Sequence, residues 1–188
     1  KFKISRQEQD IFALNSQKKT ELAIINNKFD DELIKINHES NILSKDEHPR
    51  MGLQISDLEK LKPVFQNNGT VTPGNSSGIN DGAAALVLMS REQADNKSLE
   101  PLVKIVSWAT SGVEPSLMGL GPIPSVKKAL SNAKWKLDEV DLFEINEAFA
   151  AQSIAVIKEL KIPLEKVNVN GGAIALGHPI GASGARIL

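Results

Sequence analysis

Along the first part of the chain, Ile11, Phe12, Leu14, Leu22 and Ile25 recur at roughly helical spacing. Ser5 followed by Glu8 has the form of a capping box, and Asn26-Asn27 ends the period, so one long amphipathic helix is expected between them. Leu33 to Ile36 reads as a short strand. Asn37 to Gly52 is polar, shows no sustained period and reads as an extended surface loop; its His38 and His48 read as solvated loop residues without a metal role. A short helix is expected to start at Ser56 and end before Pro63, and Asn67-Asn68-Gly69 supplies a turn.

The pattern then changes. Pro73 to Gly82 is rich in Gly, Asn and Ser and feeds the apolar run Ala83 to Met89, which reads as a strand buried on both faces. From Leu102 the chain alternates: strand Leu102 to Trp108, helix Pro124 to Ala133, strand Leu142 to Ile145, helix Glu147 to Leu160, strand Val167 to Val169 and a helix from Ala182. Repeated β-α-β order predicts an α/β fold, in which ligands gather where strands end and helices begin.

Composition narrows the function. With 41% apolar and 24% charged residues, a chain of 188 residues buries a real core, as one domain or parts of two. The net charge of -1 comes from 22 basic and 23 acidic residues without a basic cluster, which argues against nucleic acid. The apolar run 83–89 is too short to span a bilayer, and no targeting signal opens the chain, so the expected setting is the cytoplasm and no membrane partner is expected. Zero cysteines exclude thiolate metal sites and cysteine nucleophiles within these residues. Lys1 opens the chain without an initiator Met, and Leu188 closes it inside the run Gly184-Ala185-Arg186-Ile187, so a fragment lacking both ends is expected.

Three segments carry candidate chemistry. In Asn170 to Arg186 glycines stand at 171, 172, 177, 181 and 184, and His178 sits between Gly177 and Pro179 ahead of a helix. A lone His is more often a buried histidine satisfied by backbone, and the flanking glycines turn the reading toward a catalytic loop. In Glu144 to Ala151, Asn146 ends a strand and is placed to cap the following helix, with Glu147 suited to the helix dipole and Phe149 to the core. The third segment, Ser77 to Gly82, could be a phosphate cradle, a tight surface turn or a substrate-edge loop, and it lacks the Lys of a P-loop.

Taken together, Gly74-Asn75-x-Ser77-Gly78-x-Asn80-Asp81-Gly82-Ala83, Met118-Gly119-x-Gly121-Pro122, Asn146-Glu147-Ala148-Phe149-Ala150 and Gly177-His178-Pro179-x-Gly181-x-Ser183-Gly184 closely resemble the thiolases in order and spacing. The opening Ile4-Ser5-Arg6-x-x-Gln9-Asp10 and Phe29-Asp30-Asp31-Glu32 resemble that family's loop domain, so the likeness covers the whole chain. It implies part of a layered thiolase-like α/β fold, a mixed sheet with helices on its faces. Residues 1–72 would be part of the CoA-binding loop domain, 73–98 the closing segment of the N-terminal domain, and 99–188 part of the C-terminal domain. Ser107-Trp108-Ala109 and Met118 to Pro124 look more like the biosynthetic acetyl-CoA acetyltransferases than the fatty-acid-degrading members.

The resemblance implies condensation of two acetyl-CoA to acetoacetyl-CoA and CoA, or the reverse, through an acyl-cysteine, with no cofactor beyond the CoA thioester substrate. His178 would activate the cysteine and stabilise an oxyanion; Asn146 would hold a water in the same oxyanion hole. Ser77 would contact the pantetheine arm, Phe65, Met118, Ala148 and Phe149 would line its apolar walls, and Arg50 would lie near the adenosine end. Asp57 and Pro73 depart from the small residues of the family's CoA site. Family members place one cysteine before the region matching Lys1 and another after the region matching Leu188, so these 188 residues alone are expected to be inactive. The family also implies a homo-oligomer, dimer or tetramer, at full length. Alternatives are a truncated or non-catalytic CoA-binding protein and a β-ketoacyl synthase-like enzyme, which carries a second histidine where this chain has Asn146.

Overall fold

The computed structural model describes residues 2–38 and 41–188, so Lys1, Glu39 and Ser40 lie outside the described residues, as do the His38 and Asn41 side chains. Element order is α1 (Arg6–Ile25), β1 (Ile36–His38), β2 (Asn41–Leu43), α2 (Ile55–Glu59), α3 (Arg91–Asn96), α4 (Pro122–Ala133), α5 (Ala150–Leu160), α6 (Ala173–Leu176) and α7 (Ile180–Ile187). No helix among the described residues is long and apolar enough to cross a membrane.

The expected capping box forms at the start of α1: Ser5 Oγ accepts from the Glu8 amide at 3.1 Å, and the Glu8 carboxylate accepts from the Ser5 amide at 2.7 Å. The amphipathic reading of α1 needs correction. Ile11, Leu22 and Ile25 are exposed, whereas Gln9, Asp10, Ser16, Gln17 and Thr20 are buried beside Ala13, Leu14 and Ala23. This helix packs on α2, α5 and α6, and much of what it meets is loop backbone that needs hydrogen-bond partners, so polar side chains face inward.

Two apolar clusters hold the remainder. Phe143, Ile145, Val156, Ile157, Leu160, Ile162 and Val167 form one; Ala13, Leu14, Leu58, Ala150, Ile154 and Ile174 form the other, with Phe12 packed against both. The expected strands at 142–145 and 167–169 meet through a parallel bridge between Phe143 and Val167: the Phe143 amide donates to the Lys166 carbonyl at 2.8 Å, and the Asn168 amide donates to the Phe143 carbonyl at 2.9 Å. The short strand expected at Leu33 to Ile36 instead starts at Ile36 and pairs antiparallel with β2, inside the segment read as loop. α4 and α7 each begin two residues earlier than expected, at Pro122 and Ile180.

The larger departure lies at Ala83 to Met89 and Leu102 to Trp108. Among the described residues neither run pairs with a strand. Val87 is 85% exposed, against the expectation that 83–89 is buried on both faces, and Leu102 in the second run is 100% exposed. A strand is buried on both faces only with strands at its edges and layers above and below, and the described residues bring none to these segments.

Candidate active site

The helix expected from Glu147 begins three residues later, with Phe149 as its extended N-cap. Asn146 therefore does not cap it. Residues 146–149 pair with the glycine-rich loop instead: the Ser77 amide donates to the Ala148 carbonyl at 3.0 Å, the Ala150 amide donates to the Asn75 carbonyl at 2.9 Å, and Ser76 bridges Phe149. Leaving the helix turns the Asn146 side chain toward His178.

His178 is held on every side. Its Nε2 lies 3.2 Å from Asn146 Nδ2, and its Nδ1 lies 2.6 Å from Ser183 Oγ. The Ser183 hydroxyl in turn donates to the Pro179 carbonyl at 3.1 Å. A hydroxyl has one proton; spent on Pro179, it leaves Oγ to accept from Nδ1–H. In that arrangement the proton sits on Nδ1 and Nε2 presents a lone pair to the Asn146 amide N–H. The His178 amide donates to the Gly78 carbonyl and to Asn80 Oδ1, both at 3.2 Å. Gly177 adopts φ +92°, and a Cβ there would meet Asn80 Oδ1 at 2.5 Å, so the approach to His178 requires glycine at this position.

Behind this pair stands a buried polar network. Glu147, 1% exposed, accepts from Ser16 Oγ at 2.7 Å, Asn168 Nδ2 at 2.8 Å and the Ile174 amide at 3.2 Å. Burial pushes its carboxyl above the ordinary 4.5, and these hydrogen bonds and Lys19 oppose the push. Burial also lowers the Lys19 ammonium, whose Nζ donates to the Val167 carbonyl at 2.7 Å. Asn75, fully buried, donates to Asp10 Oδ1 at 2.8 Å and accepts from the Thr72 amide at 2.8 Å, fixing the glycine-rich loop to α1.

Of the remaining sequence-derived candidates, Ser77, Ala148 and Phe149 come together through the backbone pairing, and the Phe65 ring packs edge-on against Phe149 with centroids 6.0 Å apart. Phe65 and Met118 are exposed, at 71% and 78%. The turn bearing Met118 rests on α5, while exposed Arg50 is tied to α1 by its amide, which donates to Gln17 Oε1 at 2.9 Å. Neither is joined by these contacts to the His178 cluster.

Asn80, Glu147 and His48 are additions to the site that the sequence reading left out. His48 is half-buried rather than solvated: its Nδ1 lies 3.3 Å from Asn80 Nδ2, and it packs so closely on Gly78 that a Cβ there would strike its ring. The usable signal was the glycine opposite it. Among the described residues no group of three or more acidic, His or Cys side chains is arranged to hold a metal. An apolar groove of about 810 Å³ between α1 and α5 is lined by residues including Phe12, Leu22, Ile154 and Leu164 and by none of the expected site residues.

Two family models together account for nearly the whole chain: Thiolase, N-terminal domain over residues 1–92, and Thiolase, C-terminal domain over residues 99–188. The chain is 52% identical over 190 residues to a probable acetyl-CoA acyltransferase of Staphylococcus aureus (98% of this chain, 48% of that one). It is likewise 52% identical over 194 residues to the cytosolic acetyl-CoA acetyltransferase of Rattus norvegicus (100% and 49%). The structure superposes on the Bacillus anthracis acetyl-CoA acetyltransferase with a TM-score of 0.94 at 50% identity (99% of this chain, 48% of that one). On human mitochondrial 3-ketoacyl-CoA thiolase in complex with CoA the TM-score is 0.96 at 46% identity (98% and 47%). The chain spans about half the length of the curated relatives it matches.

Proposed function

The chain belongs to the thiolase family, and from that membership we propose that it supplies the acid–base and oxyanion half of an acetyl-CoA C-acetyltransferase site. The reaction is condensation of two acetyl-CoA to acetoacetyl-CoA and CoA, or the reverse thiolysis. The observation that carries the proposal is the pairing of His178 Nε2 with Asn146 Nδ2 at 3.2 Å while Nδ1 is engaged by Ser183.

In this reading a bare Nε2 takes the proton of a cysteine thiol as the thiolate attacks the acyl carbonyl. These 188 residues contain no cysteine, so the thiol comes from outside them. The resulting imidazolium N–H and a water held by the Asn146 amide then present donors to the oxygen on which charge develops. Ser183 keeps the ring in the orientation both tasks require. Ser77, Ala148, Phe149, Phe65 and Met118 are proposed to line the pantetheine arm, with Arg50 toward the adenosine end, an apolar passage suited to a long thin acyl carrier. No cofactor is proposed beyond the CoA thioester itself. A cytoplasmic setting rests on the rat relative named cytosolic, and a homo-oligomer on the family resemblance.

The zero cysteines favour one second reading, a CoA-binding thiolase-like protein without turnover. The β-ketoacyl synthase alternative has less support, because both family models that match are thiolase models. Acetoacetyl-CoA thiolysis, followed chromatographically in the natural polypeptide that carries these residues, separates the first two. Turnover is expected there and not in the isolated 188 residues, and His178→Ala is expected to lower kcat by about 10²–10⁴-fold. Absence of turnover in the natural polypeptide, with CoA still bound, would leave the non-catalytic reading.

A further inference from the structure

Asn146 and His178 stand on separate loops, 32 residues apart in sequence, and their contact at 3.2 Å persists only if those loops are held in register. Backbone bonds hold each loop against the glycine-rich loop rather than against the other: 148 and 150 bond Ser77 and Asn75, and the His178 amide bonds Gly78 and the Asn80 side chain.

The Glu147 carboxyl joins the two segments directly. Glu147 follows Asn146 directly, and its Oε2 accepts from the Ile174 amide at 3.2 Å, on the segment that leads to His178. The same oxygen accepts from Ser16 Oγ at 2.7 Å, and Ser16 Oγ accepts from the Gly172 amide at 3.0 Å. Its Oε1 accepts from Asn168 Nδ2 at 2.8 Å, and the Asn168 amide also brackets Ile145, donating to its carbonyl at 2.8 Å and accepting from its amide at 2.7 Å. Gly172 leaves room for this: a Cβ there would meet both carboxyl oxygens at 2.6 Å. All three groups that contact the carboxyl are donors, from α1, from the 168 turn and from the 172–178 segment.

A buried carboxyl without partners is strongly disfavoured, so a structure that keeps one at 1% exposure holds it through its partners. We propose that Glu147 is a positioning residue, whose buried carboxyl sets the separation between Asn146 and His178 by joining their two loops to each other and to α1. Its action on acyl transfer rests on the acetyltransferase reading above, because only there does the Asn146–His178 distance set a rate. Geometry at this level is worth a great deal: misplacement of a catalytic pair by about 1 Å costs on the order of 10²-fold in rate.

The test uses the natural polypeptide with ¹⁵N-labelled histidine, comparing wild type, Glu147→Gln and Glu147→Ala, with His178→Gln to assign the signal. The wild type should show His178 as the Nδ1–H tautomer. In both Glu147 variants that signature should be lost or exchange-broadened well below the melting temperature, with kcat for thiolysis lowered at least about tenfold and the KM for CoA within about twofold. A purely structural role lowers the melting temperature and leaves the folded-state His178 signal in place, and that result overturns the proposal. If Glu147→Ala fails to fold, Ser16→Ala, which removes one donor and the link to Gly172, is read in the same way. Wild type without turnover, in which Glu147→Gln still moves the His178 signal, overturns the acetyltransferase reading and supports the positioning role. Wild type with full turnover and an unmoved His178 signal in the variants does the reverse.

Discussion

The loops around His178 and the segment from Ala83 to Trp108 are both poor in regular structure, yet they are built in opposite ways. The first is buried and polar: α1 sends Asp10, Ser16, Gln17 and Thr20 inward to meet Asn75, Glu147, Ile174 and Asn170. The second is exposed and apolar, with Val87, Leu88, Val103 and Trp108 between 66% and 85% exposed. Irregular backbone is held in place where each polar group has a partner, and a run of apolar side chains is not held by apolarity alone. The polar region thus fixes the contact between Asn146 and His178, while the apolar segment is exposed among the described residues.

The largest effect should come from the polar region. Gly172→Ala drives a methyl group into a carboxyl tethered by three hydrogen bonds, so its urea midpoint should fall by the equivalent of about 3 kcal/mol. A loss below about 1 kcal/mol would show that the Glu147 network gives way easily and would weaken the contrast.

A smaller effect tests the other side. Val87→Lys should change stability by no more than about 0.5 kcal/mol and should reduce the binding of an apolar dye to the 188-residue chain. A destabilisation well beyond that would mean the segment is covered in solution.

Two carboxyls respond to pH in opposite senses. Because burial holds the Glu147 carboxyl above 4.5, the native state keeps its proton more tightly than the unfolded chain. Its contribution therefore favours folding below 4.5 and is lost as the pH rises through the raised value, a slope that Glu147→Gln should remove from a series of melting curves. The smallest effect sits on the surface. Glu8 is held at about 2 against an ordinary 4.5, chiefly by Lys158 at 2.6 Å and then by the Ser5 amide. A lowered carboxyl contributes above 4.5 and loses that contribution as the pH falls toward 2, so the melting temperatures of wild type and Glu8→Gln should converge over that range.

Much of this was legible in the sequence where local rules decide. Ser5 and Glu8 announced the start of α1, and the glycines around His178 marked a loop that must come close to its neighbours. What the sequence hid depended on partners. Ile11, Leu22 and Ile25 suggested an inward apolar face, but beside Ala13 and Leu14 the helix buries polar side chains, because polar loop groups lie against that side. Asn146 has every local property of an N-cap, yet pairing of 146–149 with the glycine-rich loop delays α5 to Ala150 and frees the side chain. His48 read as solvent-exposed because nothing local ties it to Asn80, 32 residues away. The strand-like runs at 83–89 and 102–108 have the right residues but no adjoining strand among the described residues.

In the proposed chemistry Asn146 and His178 act as one unit. A double-mutant cycle on kcat for acetoacetyl-CoA thiolysis in the natural polypeptide, with Asn146→Ala, His178→Ala and both together, tests this most directly. The double variant should be little slower than His178→Ala alone, because residues that act as a unit are strongly non-additive. Losses that multiply, as for two independent groups, would contradict it.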